Sequence, residues 1–102
     1  MNIEYFKDQI KDELDGARCY IKNAIEIKAM NQSWAKTFME MSAAELTHAT
    51  NLYKMFEEYY GIISKSYEKG VPDYIEKTRN EIVDMYTECG AKIKYMHEMF
   101  SR

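Results

Sequence analysis

A chain of 102 residues makes one domain, spanning 1–102, with enough length to bury a core and little to spare. Its net charge of −3, with Lys and Glu well mixed, argues against nucleic acid or an anionic membrane as partner, and no apolar run approaches the roughly 20 residues of a bilayer span. One proline, four glycines and long stretches rich in Glu, Lys, Met, Ala and Tyr favour helix over strand.

The first helix is expected from about Ile3 to Met30. Its stripe runs Ile3, Phe6, Ile10, Glu13, Ala17, Tyr20, Ala24 and Ile27, alternating steps of three and four. Gly16 costs this helix propensity and can permit close approach of a neighbour. Asn31-Gln32-Ser33 breaks the pattern, and Ser33 or Asn31 suits the cap of the next helix.

The second helix starts near Ser33 or Trp34 and reaches at least Tyr60, on the stripe Trp34, Phe38, Met41, Glu45, His48, Leu52, Met55 and Tyr59. Gly61 either ends it or only weakens it, since residues 62–69 can continue as helix. Gly70-Val71-Pro72 is the clear stop, with Pro72 suited to a first helical turn. The third helix, about Asp73 to Phe100, carries the stripe Ile75, Ile82, Met85, Cys89, Ile93, Met96 and Phe100, apolar throughout. The short connection after Met30 makes the first two helices an antiparallel hairpin.

Two of these stripes are apolar at nearly every position except Glu13, Glu45 and His48. Charged side chains are rarely buried without partners, because desolvation is costly unless a counter-charge or metal offsets it. Glu45-Leu46-Thr47-His48 sets a carboxylate and an imidazole one turn apart on one face. Glu13 lies about 17 residues before the turn, roughly 26 Å along the axis, and Glu45 and His48 lie about 14 and 17 residues after it. All three can meet at one level, as metal ligands or as a hydrogen-bonded Glu/His network that sets helix register.

Glu81 and Glu88 flank the third stripe, and His97 has Lys94 rather than Glu three residues before it, so by simple reading the third helix does not supply the missing half-site. The alternative is that Glu81 or Glu88 swings in to complete a lesser site within one chain. His97 is expected at the helix end, in solvent. Tyr20, Tyr53, Tyr59 and Trp34 read as core, the eight methionines as gap fillers, and both cysteines as inert. Cys19 and Cys89 lie far apart without CxxC spacing, which indicates neither a disulfide framework nor a zinc knuckle. The charged start MNIEYFKDQIKDE is not a signal peptide, and the expected location is the cytoplasm.

Glu13-Leu14-Asp15-Gly16-Ala17-Arg18-Cys19-Tyr20, followed by Met41-Ser42-Ala43-Ala44-Glu45-Leu46-Thr47-His48-Ala49, resembles the ferritin-like superfamily over roughly residues 5–60. The nearest types are rubrerythrin-like proteins and half-length encapsulated ferritins. The resemblance implies an all-α fold, a ferritin-like antiparallel hairpin plus a third helix. It also implies a non-haem di-iron site in which Glu13 is a terminal ligand, Glu45 the bridging carboxylate and His48 a terminal nitrogen ligand.

The departures are informative. Rubrerythrins carry a second Glu and a second Glu-x-x-His later in the chain, which is absent here, as is a rubredoxin-like cysteine module. Half-length ferritins complete their site across a two-fold dimer. The C-terminal Glu98-Met99-Phe100-Ser101-Arg102 shows no targeting tail, so residence in a nanocompartment is not expected. Two copies of Glu13, Glu45 and His48 amount to four carboxylates and two imidazoles, the whole set of such a bundle. The expectation is a homodimer, or a larger even-numbered homo-oligomer, that completes a four-helix bundle. Two Fe ions would sit at the dimer interface, with Mn or Zn as alternatives, in a ferroxidase or peroxidase-type oxidoreductase. The competing readings are a metal-free structural or interaction bundle and a helical adaptor using an outer Tyr/Met surface.

Overall fold

The computed structural model describes residues 1–102 and consists of three helices, α1 (Ile3–Ile27), α2 (Gln32–Ser64) and α3 (Asp73–Ser101), with no strand. No helix is long and apolar enough to cross a membrane. Each start has a local cause. The side chains of Asn2 and Asn31 accept the backbone N–H of Tyr5 and Trp34 at 3.1 and 3.0 Å, capping α1 and α2. Pro72 precedes α3, whose first turn carries Asp73 and Glu76 against the positive end of the helix dipole. Gly70, at φ +94°, makes the preceding turn in a conformation that a β-carbon would strain.

One boundary differs from expectation, and the alternative left open at Gly61 is answered. α1 ends at Ile27, whose carbonyl accepts the N–H groups of both Met30 and Asn31, so residues 28–30 are turn rather than helix. α2 runs through Gly61 to Ser64. One glycine costs about 1 kcal/mol, and Tyr59, Tyr60 and Ile63 pack on the core on either side of it, which outweighs that cost.

The molecule is a rod of 58 × 19 × 16 Å in which the α1 backbone runs close to both other helices, while α2 and α3 meet mainly through long side chains. Phe6, Ile10, Leu14 and Ala17 of α1 meet Ala49 and Phe56 of α2 and Ile75, Ile82 and Ile93 of α3. The buried positions of α2, Ala35, Ser42, Ala49 and Phe56, recur every seven residues, and three of them are small enough to let backbones close up.

The expected stripes therefore need a correction. On α1, Leu14 and Ile21 are buried where Glu13 and Tyr20 were expected. On α2 three of the six large apolar residues of the expected stripe point outward, Trp34 at 59% exposed, Met41 at 38% and Met55 at 49%, while Phe38, Leu52 and Tyr59 are half-buried. Ile62, seven residues beyond Met55, is 70% exposed. With His48, the residues Trp34, Met41, Met55 and Ile62 form one line along α2 at seven-residue intervals. Only one side of the α1–α2 hairpin is covered, and it is the other one.

That covered side belongs to α3. Lys7 pairs with Glu81, Thr78 donates to Glu4, and Lys28 donates to the Phe100 carbonyl. From α2, Thr50 bonds the Tyr86 hydroxyl, Tyr53 stacks on the Tyr86 ring at 4.1 Å, and Tyr60 donates to Glu76 with Arg79 over its ring. Thr50 lies two residues beyond His48, roughly 200° around the helix at about 100° per residue. So α3 packs opposite to the His48 line.

Candidate metal centre

Glu13 projects from the middle of α1, and Glu45 and His48 project one turn apart from the middle of α2. The hairpin brings one ligand-type atom of each to within 4.8 Å of the others. His48 Nδ1 is 3.5 Å from a Glu13 carboxylate oxygen and 3.9 Å from one of Glu45, both too long for good hydrogen bonds. Glu13 Oε2 is shielded from solvent and has no hydrogen-bond partner.

The Glu13 carboxyl beside it, together with burial, holds Glu45 above the usual carboxylate range. The two carboxylates stand side by side, and the inner oxygen of Glu13 has no partner. A cation at this point would supply that partner and relieve the repulsion between the two carboxylates. An orphaned inner oxygen, two carboxylates and an imidazole are a fitting donor set for a divalent first-row metal. Atoms on one ion lie roughly 3–4 Å apart, so the observed spread is an open set that a small side-chain rotation closes.

The side of this cluster away from α3 is uncovered. The Glu13 and Glu45 side chains are 26% and 29% exposed, and His48 is 55% exposed. Tyr20 stacks on Phe38 one to two turns away, with ring centroids 6.3 Å apart.

α3 adds no ligand. Glu81 is tied to Lys7, Glu88 is exposed, and neither belongs to the Glu13–Glu45–His48 group. His97 departs from its expected place in solvent. It is half-buried, its Nε2 2.8 Å from Ser42 Oγ, and Ser42 in turn donates to the Ala17 carbonyl at 2.6 Å. With that hydroxyl proton committed, the ring N–H donates to Ser42, and burial holds the imidazole below its ordinary pKa. This is the polar link that joins all three helices. The available signal was Ser42 in a line of small residues, which a hydrophobic stripe passes over. Cys19 is exposed and Cys89 half-buried, both as free thiols.

An antiparallel pair of long helices presenting Glu from one and Glu-x-x-His from the other at a common depth defines a ferritin-like helical protein with a carboxylate–histidine cluster. The chain belongs to the Rubrerythrin family, whose model matches residues 4–102, and members of this family typically bind iron. The match extends through α3, beyond the hairpin that carries the motif resemblance. Searches of curated proteins and of solved structures found no match.

Proposed function

We propose that this protein is a non-haem di-iron protein whose site is completed by a second copy of the chain, and that it oxidises Fe(II) or a related reductant with oxygen or peroxide. The observation that carries the reading is a half-set of ligands at an uncovered face. Glu13, Glu45 and His48 lie together, open on the side away from α3, and midway along the line Trp34, Met41, Met55 and Ile62. That line is symmetric about His48, with Met41 and Met55 seven residues to either side and Trp34 and Ile62 fourteen. A two-fold axis at His48 would set α2 antiparallel to its mate and bring the two half-sets face to face.

The twenty-eight residue steps from Trp34 to Ile62 span about 42 Å, and a hairpin roughly 20 Å wide offers about 800 Å² per copy, the size of a stable interface. In the pair, Glu13, Glu45 and His48 of each copy would together hold the metal ions. Iron held there supplies one-electron redox steps toward the oxidant. The chain's own residues would supply four carboxylates and two imidazoles and exclude water by the apolar flanks. Manganese or zinc would fit the same donors. The reading places the protein in the cytoplasm, where its two free thiols stay reduced.

The register-setting alternative is the poorer one, because such a network gains nothing from His48 contacts of 3.5 and 3.9 Å and an unpaired inner oxygen. Aerobic Fe(II) oxidation tests the proposal. Protein should accelerate it well above background, with two metals per pair of chains by anomalous scattering, and Glu45→Ala should abolish it. Wild-type protein that takes up no metal and leaves the rate at background returns the Glu/His network as the better reading.

A further inference from the structure

We propose that Gly16 is a positioning residue for Glu45, its missing side chain forming the space in which that carboxylate stands. Gly16 follows Glu13 by three residues on α1, on the same face and one turn deeper along the hairpin. A β-carbon built there would lie 3.1 Å from Glu45 Oε2, 3.5 Å from Cδ and 3.6 Å from Cγ, so its three nearest neighbours are all atoms of one ligand side chain. The other two helical glycines are different: a β-carbon at Gly61 or Gly90 would meet nothing within 4 Å.

No backbone reason holds a glycine at position 16. Positive φ occurs only at Gly70, and Gly16 sits in regular helix where alanine is intrinsically preferred. What a methyl group would encounter is the end of Glu45, and at 3.1 Å that carboxylate must retreat by a few tenths of an ångström. The retreat is away from α1, hence away from Glu13. A shift of this size leaves the fold intact and detunes a ligand set, because metal ligands depend on the groups that hold them in place. The functional consequence rests on the reading of Glu45 as a ligand, whereas the contact itself does not.

Two measurements on the full-length chain separate these layers. The first is thermal unfolding of metal-free protein in a double-mutant cycle. In a Glu45→Ala background, Gly16→Ala should raise Tm by roughly 4–8 °C, the full helix-propensity gain. With Glu45 present the gain should shrink by half or more, while Gly61→Ala gives the same increment in both backgrounds. Equal increments for Gly16→Ala in the two backgrounds would overturn the proposal.

The second measurement is anaerobic titration with Co(II), read by affinity and visible spectrum. Gly16→Ala should bind about 10-fold more weakly than wild type and shift the Co(II) bands, and Gly61→Ala should match wild type. A fold no less stable than wild type with a weaker, altered metal site is an outcome that a merely structural glycine cannot produce. Unchanged affinity and spectrum in Gly16→Ala would refute positioning of a ligand. If wild type takes up no Co(II), the di-metal reading fails by itself, and the unfolding cycle still decides the Gly16–Glu45 contact.

Discussion

Met55→Lys addresses the pairing of two chains directly. Met55 is about half exposed in the single chain, one turn short of Tyr59 and seven residues beyond His48. A lysine there costs the monomer little, since its long stem can lie on the helix and its head reach water. In the proposed pair the same position faces Met41 of the other copy. Each ammonium then loses its water, at a cost of several kcal/mol after relaxation, and the two-fold symmetry doubles it. Even about 2 kcal/mol per copy sums to a factor of roughly 10³ in the dimer dissociation constant.

Sedimentation velocity across a concentration series reads this, alongside circular dichroism to establish that the helices persist. Wild type should sediment as a dimer or even-numbered oligomer, Met55→Lys as a monomer with lowered metal content, and Met99→Lys on α3 as wild type. The register makes a sharper demand. Adding Met41→Glu to Met55→Lys places opposite charges across the axis twice and should recover much of the association. Dimers of unchanged strength in Met55→Lys, or equal disruption by Met99→Lys, would refute the assignment of this face.

Other outcomes follow from the interior and the site. Phe56→Ala removes a fully buried ring that packs on Phe6 and Tyr53, and should cost about 3–5 kcal/mol by denaturant titration. His97 has a folded-state pKa below its unfolded value of about 6.5, so the native state holds fewer protons below that pH and stability should fall as pH drops through the window between the two values. His97→Gln should flatten that part of the wild-type pH–stability curve, and an unaltered slope would show that the imidazole gains its proton without penalty. Saturating Fe(II) under anaerobic conditions should raise Tm, by the equivalent of about 2.7 kcal/mol at a hundredfold excess over Kd, and chelator should reverse it. Glu45→Gln should erase the difference, since it removes one of the charges that the cation neutralises.

The helices and the level of the ligand trio were legible because they depend on local order along the chain: caps at Asn31, the break at Gly70-Val71-Pro72, and distances counted from one turn. The phase of the buried stripes was not. Glu13 and Leu14, or Tyr20 and Ile21, both fit helical steps of three or four, and α1 has to serve two neighbouring helices at once. On α2, apolar bulk advertises Trp34, Met41 and Met55, whereas contact with α1 selects Ala35, Ser42 and Ala49 because small side chains allow the close approach. A pattern of large residues marks where apolar surface exists, and says nothing of which chain covers it. The Ser42–His97 link was illegible for a related reason: it pairs residues of different helices and leaves no periodic trace. Gly16 marked a place of close approach in the sequence, but nothing local said that Glu45 fills it.

The central place of α1 has a kinetic side. Because α3 leans on α1 and reaches α2 through a handful of long side chains, its detachment leaves the contacts between α1 and α2 in place, and α1 with α2 can close through contacts nearer in sequence before α3 arrives. Opening of α3 is then the low-energy excursion of the native ensemble. Its backbone amides should exchange with solvent deuterium sooner than those around Leu14 and Ala49, and added metal should slow exchange in the hairpin far more than in α3. The ligand trio thus sits in the part of the molecule that assembles first and opens last.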